Sequence, residues 1–334
     1  MARIVCFEVE NWEQTIVTNA LGNEALCLSE PLQRQHYPLL KDAEILAVFI
    51  YTQVTREVLD AAPNLKLICT MSTGYDHVDL KACAERNIVV CNVPTYGERT
   101  VAQHTFALLL GLTRKLVPSV EEVRRGSFVP TPALRGHDID GKTLGVIGTG
   151  KIGRNVISIA NGFHMRVVAY DPHPDYGVSQ QMGFTYMSLE DLYARSDIVT
   201  IHVPLLPTTT HLINDAAINQ MKRGTIIINT SRGGIVETEA LYRGLVSGQI
   251  SGAGLDVLEQ ETQVKEEKQL LSQQFRADID YRTVVLNHLI ILHPNVIVTP
   301  HNAFNSIEAL TRIVNTTIDN IKAYRENHAQ NVVH

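Results

Sequence analysis

A glycine-rich segment at residues 148–153, GTGKIG, restricts what this 334-residue chain can fold into more than any other feature. An apolar run from 142 to 147 precedes it, and apolar residues at helical spacing follow it from 154 to 163. A second apolar run, from 166 to 170, ends at Asp171, 18 residues past the last glycine. Strand, glycine turn, helix, strand and acid follow one another in the order of a dinucleotide-binding βαβ unit.

Each glycine of this segment has a physical role in such a unit. Gly148 permits the tight turn, Gly150 lets the backbone approach a pyrophosphate, and Gly153 lets the helix pack close to the strand. The helix N-terminus offers free N–H groups and a positive dipole end to the phosphates. The alternative is a glycine-rich turn without a ligand.

Asp171 indicates which dinucleotide the unit takes. A carboxylate at the end of the second strand accepts hydrogen bonds from a ribose 2′-hydroxyl and repels a 2′-phosphate. The sequence therefore predicts NAD as the cofactor rather than NADP. The alternative is a solvated aspartate at a strand end.

Composition restricts the class of protein. The chain is 45% hydrophobic and 19% charged, which is typical of a globular protein, and its length suggests two domains. The net charge of −6 provides no basic surface for nucleic acid. Five cysteines without C-x-x-C spacing favour buried free thiols, and no metal site is predicted. The N-terminal residues resemble a strand and no apolar run has membrane-spanning length, so we expect a cytoplasmic protein without a membrane partner.

The 140 residues before the glycine segment show their own alternation of strands and helices. We predict strands at 3–7, 45–49, 66–70 and 88–91, and helices near 13–20, 55–61 and 78–86. The alternation indicates a separate, smaller parallel α/β domain.

The residues after Asp171 continue the same rhythm. We predict strands at 197–202, 225–229, 252–257 and 296–299, and helices at 189–195, 213–221 and 238–247. With the two strands of the βαβ unit these make six predicted strands, and the repeated alternation indicates a doubly wound Rossmann sheet of roughly seven parallel strands.

Three further segments show helical patterns. The apolar residues from 100 to 125 predict one helix that packs between domains, against a second subunit, or both. The segment from 259 to 294 is longer than a connection requires and contains helix-prone stretches at 264–274 and 280–292; active-site cover and subunit contact both remain open. The last helix, 306–324, is expected to return to the N-terminal domain and make that domain discontinuous.

Three neighbouring strand ends carry side chains that suit keto-acid reduction. Arg232 follows one predicted strand, Glu259 and Glu261 follow the next, and His301 follows the last. A guanidinium binds a substrate carboxylate and polarises a keto oxygen, a histidine protonates the developing alkoxide, and a carboxylate orients that histidine. The alternatives are a surface arginine, a core histidine and a solvated loop acid.

Short motifs along nearly the whole chain resemble those of the D-isomer-specific 2-hydroxyacid dehydrogenases, especially the D-lactate dehydrogenase branch. The motifs are STGYDH at 72–77, VPTY at 93–96, VAQH at 101–104, the glycine segment, TSRG at 230–233, DVLEQE at 256–261 and PHNAF at 300–304. The resemblance implies a flavodoxin-like substrate domain, residues 1–100 with 302–334, and an inserted NAD-binding domain, residues 101–301. It also implies a homodimer.

The resemblance implies a catalytic role for three residues. Arg232 binds the substrate carboxylate and carbonyl, His301 is the acid and base, and Glu261 pairs with His301. Glu259 is the rival of Glu261, which is preferred because the family's glutamate lies five residues past the aspartate that is Asp256 here.

Other roles concern binding. The resemblance implies that backbone N–H groups of Thr73 and Gly74 hold the substrate carboxylate. The residues expected to contact the cofactor, besides the glycines and Asp171, are Lys151, Ile152, Val203, Pro204, Thr230, Ser231 and Asp256. Tyr51 and Tyr96 are candidates for the substrate pocket, with ordinary packing as the alternative. His104 and His202 are interpreted as structural.

These observations predict an NAD-dependent oxidoreductase that interconverts a small 2-oxo acid and its D-2-hydroxy acid, with pyruvate and D-lactate preferred. Gln103 stands where many relatives carry Glu, and Asn305 where lactate-type members often carry Tyr. Both departures leave a bulkier 2-oxo acid, glyoxylate and, last, phosphoglycerate as alternative substrates. A non-enzymatic, NAD-sensing dimeric binding protein is the alternative from another class.

Overall fold

The computed structural model describes residues 3–260 and 280–333. The chain divides into two compact units, Met1–Gly97 with Asn305–His334, and Glu98–Phe304. The domain boundaries expected from the sequence each lie three residues from these divisions.

The first unit is built on a parallel sheet of five strands. In chain order they are β1 (Ile4–Cys6), β2 (Ala25–Cys27), β3 (Ile45–Val48), β4 (Leu67–Thr70) and β5 (Val89–Cys91). Their spatial order is β2-β1-β3-β4-β5, the flavodoxin-like order. The helices between them are α1 (Asn11–Leu21), α2 (Tyr37–Leu40), α3 (Arg56–Ala61) and α4 (Leu80–Glu85).

Both faces of this sheet are buried, as expected of parallel strands joined by helices. Val5, Leu46 and Ile68 lie in the core on one face, while Ile4 and Cys69 lie in the core on the other. The sequence did not predict β2, because its apolar run is only three residues long and lies half-buried at the edge of the sheet.

The second unit is built on a parallel sheet of seven strands. They are β6 (Thr143–Ile147), β7 (Arg166–Tyr170), β8 (Thr185–Tyr186), β9 (Ile198–Ile201), β10 (Thr225–Asn229), β11 (Ile250–Leu255) and β12 (Val296–Val298). Their spatial order, β12-β11-β10-β9-β6-β7-β8, is that of a doubly wound Rossmann sheet. The fold class predicted from the sequence is confirmed; β8 was not predicted, because it has only two residues.

The helices of the second unit follow the strands in alternation. They are α5 (Glu98–Thr113), α6 (Leu116–Arg124), α7 (Lys151–Gly162), α8 (Tyr176–Met182), α9 (Leu189–Arg195), α10 (Asp215–Gln220), α11 (Thr238–Ser247) and α12 (Tyr281–Ile291). The predicted helix at 264–274 lies outside the described residues.

The prediction of one helix from 100 to 125 is wrong. The helix is broken at Lys115, whose φ of 52° is left-handed. The break follows from tertiary contacts: His137 N–H donates to the Thr113 carbonyl at 2.8 Å, and Lys115 Nζ donates to Asn295 Oδ1 at 2.8 Å. Helical periodicity continues across the break, so the sequence pattern did not reveal it.

The last helix, α13 (Ile307–Arg325), belongs to the first unit. It begins after Ser306, whose hydroxyl accepts from Ala309 N–H at 3.2 Å. Its apolar side buries Ile313, Ile318 and Ile321 in the core of that unit. Within the part of the chain that the structure describes, no helix has the length and apolar character needed to cross a membrane.

Candidate functional site

The carboxyl edge of the seven-stranded sheet collects most of the residues singled out in the sequence. Because all its strands are parallel, their carboxyl ends share one edge, where open α/β sheets bind ligands. The residues that follow successive strands are the glycine turn after β6, Asp171 after β7, Val203 and Pro204 after β9, Thr230, Ser231 and Arg232 after β10, Asp256 after β11, and His301 after β12.

The glycine turn is packed as a dinucleotide cradle requires. Gly148 has a φ of 95°, and a Cβ there would lie 2.8 Å from the His202 carbonyl oxygen. A Cβ on Gly153 would lie 2.1 Å from the Gly148 carbonyl oxygen, so α7 approaches the turn too closely for any other residue. A Cβ on Gly150, immediately before α7, would meet no atom of the described residues within 4 Å. The turn therefore leaves open space at the helix N-terminus, which fits a pyrophosphate.

Asp171 anchors this turn. One carboxylate oxygen accepts from the Thr149 N–H at 2.8 Å and from its hydroxyl at 2.9 Å, and the other accepts from His173 N–H at 2.9 Å. Partial burial by itself would raise the pKa of Asp171, but these hydrogen bonds outweigh burial and lower the pKa. The group is an anion at neutral pH, and carboxylate oxygens have further lone pairs for ribose hydroxyls.

Arg232 is held in a compact turn after β10. The buried Asn229 side chain accepts from the Ser231 N–H at 3.1 Å and hydroxyl at 2.8 Å, and donates to the Arg232 carbonyl at 2.9 Å. A Cβ on Gly233 would lie 2.1 Å from the Leu258 carbonyl group. The turn that carries Arg232 therefore packs directly on the backbone that follows β11.

His301 lies in a strained turn after β12. Its φ is 52°, which is uncommon for a non-glycine residue. Its N–H donates to the Asp256 carbonyl at 2.8 Å. The Asp256 side chain is 1% exposed, and its carboxylate accepts from Thr299 Oγ1 at 2.5 Å and from Ala303 N–H at 2.8 Å. The sequence predicted that Asp256 lines the cofactor; the structure shows its carboxylate bonded to the turn that carries His301.

The two glutamates after β11 differ. Glu259 accepts from Thr238 Oγ1 at 2.7 Å and lies 2.7 Å from His211 Nε2. Its carboxylate is therefore already bonded to Thr238, the first residue of α11, and to His211. Glu261 lies outside the described residues.

The surroundings of His202 do not favour a role as acid or base. Burial lowers its pKa to about 3, and its Nε2 lies 2.9 Å from Thr200 Oγ1. The ring is therefore neutral at physiological pH. Its backbone carbonyl packs on the glycine turn, which agrees with a structural role.

The remaining candidates lie at the carboxyl edge of the five-stranded sheet in the first unit. Tyr51 follows β3, Thr73 and Gly74 follow β4, and Tyr96 follows β5. Ser72 Oγ donates to the Gly74 carbonyl at 2.6 Å, and Thr73 Oγ1 donates to the carbonyl of Val93, just after β5, at 2.9 Å. These bonds fix the loop in which the Thr73 and Gly74 N–H groups lie.

The sequence did not identify the residues that hold these loops. Glu8, at a left-handed φ of 61°, accepts from the Phe49 N–H at 2.9 Å and the Tyr51 N–H at 2.8 Å. Burial raises the pKa of Glu8, although hydrogen bonds from Thr52, Tyr51 and Phe49 partly offset this. Arg312 Nε donates to the Tyr96 carbonyl at 2.6 Å. These contacts span tens to hundreds of residues, so no local sequence signal could have found them.

Comparisons with known proteins agree with this architecture. Residues 106–303 match the family model described as D-isomer specific 2-hydroxyacid dehydrogenase, NAD binding domain. A D-lactate dehydrogenase from Escherichia coli is 35% identical over 280 residues, which cover 83% of this chain and 82% of that protein. A glyoxylate reductase from Korarchaeum cryptofilum is 35% identical over 289 residues, which cover 86% and 81%.

The structure is also similar to a solved one. The D-lactate dehydrogenase of Aquifex aeolicus, complexed with NAD and lactic acid, aligns with a TM-score of 0.84 at 33% identity. The alignment covers 97% of this chain and 96% of that chain. The family model and both sequence relatives each span more than half of this chain. The chain therefore belongs to the D-isomer-specific 2-hydroxyacid dehydrogenases and is an NAD-binding oxidoreductase of that family.

Proposed function

We propose that the protein reduces pyruvate to D-lactate and catalyses the reverse reaction, with Arg232 and His301 as its central catalytic residues. The observation that carries this proposal is the arrangement of their strands. The two residues follow β10 and β12, the two neighbours of β11, at the edge that also carries the glycine turn. Parallel strands lie about 4.8 Å apart, so the two strand ends are about 10 Å apart, a distance that long side chains bridge.

The reaction uses each side chain for one task. When bound, NADH supplies a hydride to the carbonyl carbon of the 2-oxo acid. Arg232 binds the substrate carboxylate and polarises the carbonyl, since its planar fork matches two oxygens at once. His301 donates a proton to the carbonyl oxygen in reduction and accepts it from the hydroxyl in oxidation. Glu261 is proposed to orient the His301 ring, because the carboxylate of the rival Glu259 is already bonded to Thr238.

The first unit supplies the substrate-binding groups in this proposal. N–H groups of Thr73 and Gly74 bind the substrate carboxylate, and Tyr51 and Tyr96 contact the substrate. Tyr51 is 51% exposed, and its ring lies edge-on to that of Phe49. Residues 1–100 with 302–334 thus act as the substrate domain and residues 101–301 as the NAD-binding domain.

The cofactor-binding assignments follow from the sheet edge. Gly148, Gly150 and Gly153, with Lys151 and Ile152, are proposed to contact the pyrophosphate, and Asp171 the adenosine ribose. Val203, Pro204, Thr230 and Ser231 line the cofactor from the neighbouring strand ends. Asp256 is proposed to support the cofactor site through its hydrogen bonds to the turn that carries His301.

A homodimer is proposed through α6. Leu116, Val117, Val120 and Val123 on this helix are exposed, and Phe128 next to it is 87% exposed. Side chains of this kind are unfavourable in water and mark a contact surface. Sedimentation equilibrium is expected to give twice the chain mass of 37.1 kDa.

The function is tested by following NADH absorbance with pyruvate, glyoxylate, hydroxypyruvate and a branched 2-oxo acid, with NADPH in parallel. We expect the highest kcat/KM with pyruvate and NADH, and chiral chromatography should identify the product as D-lactate. A higher kcat/KM with another 2-oxo acid would show that this acid, and not pyruvate, is the preferred substrate. A preference for NADPH would contradict the proposed binding of the adenosine ribose by Asp171. No turnover with any acid, while NADH still binds, would instead support an NAD-sensing binding protein.

A further inference from the structure

We propose that His104 is a positioning residue for His301, acting through Thr299 and Asp256. This inference rests on the proposed role of His301 as the acid and base. His104 lies on α5 and is separated from His301 by almost two hundred residues, so only the folded structure connects them.

The first step of the argument is the conformation at His301. Left-handed backbone is sterically unfavourable for a residue with a Cβ, so surrounding contacts must hold it. Three N–H groups in succession converge on Asp256: His301 donates to its backbone carbonyl at 2.8 Å, and Asn302 and Ala303 donate to its carboxylate at 3.0 and 2.8 Å. The position of the His301 backbone is therefore set by Asp256.

The second step concerns what holds the Asp256 carboxylate. Thr299 Oγ1 donates to Asp256 Oδ1 at 2.5 Å. A threonine hydroxyl has one hydrogen, so its remaining contact, with His104 Nε2 at 3.0 Å, requires the imidazole to donate. His104 Nε2 also lies 3.5 Å from Asp256 Oδ1. The hydrogen of His104 is thus assigned to Nε2, where it faces both the hydroxyl and the buried carboxylate.

The third step is the rigidity of the support. A Cβ on Gly254, in β11, would lie 2.9 Å from Leu108 Cβ, so α5 packs directly on the strand that ends at Asp256. Leu108 is one helical turn after His104 and faces the same side of α5. The ring of His104 is therefore held at a fixed distance from Asp256, which is what a positioning residue requires.

The assignment of the donor makes a specific test possible. Glutamine has its amide nitrogen at the same depth along the side chain as histidine Nε2, whereas the amide nitrogen of asparagine lies at the depth of Nδ1. We would compare His104→Leu, His104→Asn and His104→Gln, together with Thr299→Val and Thr299→Ser. Thr113→Val is the matched control, since it removes a buried hydroxyl of the same helix that donates only within that helix.

We expect His104→Leu, His104→Asn and Thr299→Val each to lower kcat for the best 2-oxo acid of the substrate panel about 10- to 100-fold, the range found when outer partners of a functional ligand are lost. His104→Gln and Thr299→Ser should remain within about threefold of the original kcat. The Kd for NADH, measured by fluorescence, should not change. The double variant His104→Leu with Thr299→Val should be no slower than the slower single variant, since both break one chain of contacts.

Two results would overturn the proposal. One is a folded His104→Leu variant with unchanged kcat, and the other is a His104→Gln variant as slow as His104→Leu. His301→Asn separates this failure from failure of the proposed function. If His301→Asn is inactive while His104→Leu is fully active, only the positioning role is lost; if His301→Asn is fully active, the proposed chemistry itself is wrong.

Discussion

Two turns at the carboxyl edge of the same sheet are held in opposite ways. The glycine turn after β6 is shaped by close backbone packing, with a Cβ on Gly153 excluded at 2.1 Å, and is anchored by Asp171, which directly follows the adjacent strand β7. The turn that carries His301 contains no glycine and is held by hydrogen bonds to the backbone carbonyl and the side-chain carboxylate of Asp256. The first is a local motif, whereas the second depends on residues from distant parts of the chain.

The difference indicates how each turn tolerates change. Glycine-dependent packing fails as soon as a Cβ is added, because a backbone carbonyl cannot move aside. A turn held by hydrogen bonds tolerates substitutions that keep a donor or acceptor in place. Three predictions test this comparison, and the largest effect concerns the chemistry at the second turn.

We expect His301→Ala and Arg232→Ala each to lower kcat/KM about 10²- to 10⁴-fold, because general acid–base catalysis and carbonyl polarisation are lost. The affinity for NADH should remain close to the original. Steady-state kinetics with the best 2-oxo acid from the substrate panel, together with NADH fluorescence titration, measures both.

The chain provides matched controls for these variants at the opposite edge of the sheet. Arg223 precedes β10, as Arg232 follows it, and His293 precedes β12, as His301 follows it. Arg223→Ala and His293→Ala should therefore retain activity. Near-normal turnover by Arg232→Ala or His301→Ala would refute the catalytic assignment.

Gly153→Ala is expected to cost about 3 kcal/mol of unfolding free energy and to weaken NADH binding at least about tenfold, because the new methyl group displaces the Gly148 carbonyl. Gly162→Ala, on the same helix, meets no atom within 4 Å in the part of the chain that the structure describes, and should be neutral or stabilising by up to about 1 kcal/mol. Urea unfolding and NADH titration compare the two. Equal unfolding free energies and equal NADH affinities of the two variants would show that close packing at Gly153 does not shape the turn.

The smallest effect concerns His202, whose carbonyl packs on the glycine turn. The folded-state pKa of His202, about 3, lies below the ordinary value of 6.5. As the pH falls, His202 is therefore protonated in the unfolded chain before it is protonated in the folded protein. The associated stability is present above pH 6.5 and is lost as pH falls toward 3. At pH 5 the loss is about 2 kcal/mol.

Urea unfolding at pH 7 and pH 5 checks this prediction. His202→Gln, which lacks a titrating ring but keeps a donor for Thr200, should lose about 2 kcal/mol less than the original protein between these pH values. An equal loss in both proteins would mean that His202 is solvated or charged in the folded state.

Several elements were predictable because their signals are local. The strand Thr225–Asn229 and the helix Thr238–Ser247 lie where the sequence predicted them, since each has a continuous pattern between clear ends. The break at Lys115 and the short strands β2 and β8 were not predictable from the sequence. Tertiary contacts produce the break, and pairing with a neighbouring strand produces each short strand. The roles assigned to Arg232, His301 and Glu261 stay predictions.

Consecutive residues were enough to predict the class of fold and the dinucleotide turn, because glycine spacing and strand periodicity are local properties. The family followed from the resemblance of short motifs along the chain. Three contacts could be found only in the folded protein: Asp256 with the turn of His301, Glu259 with Thr238, and His104 with Thr299. These hydrogen bonds join strand ends and helices that are brought together by the order of the strands in the sheet. That order is fixed by burial of the whole core rather than by any short segment.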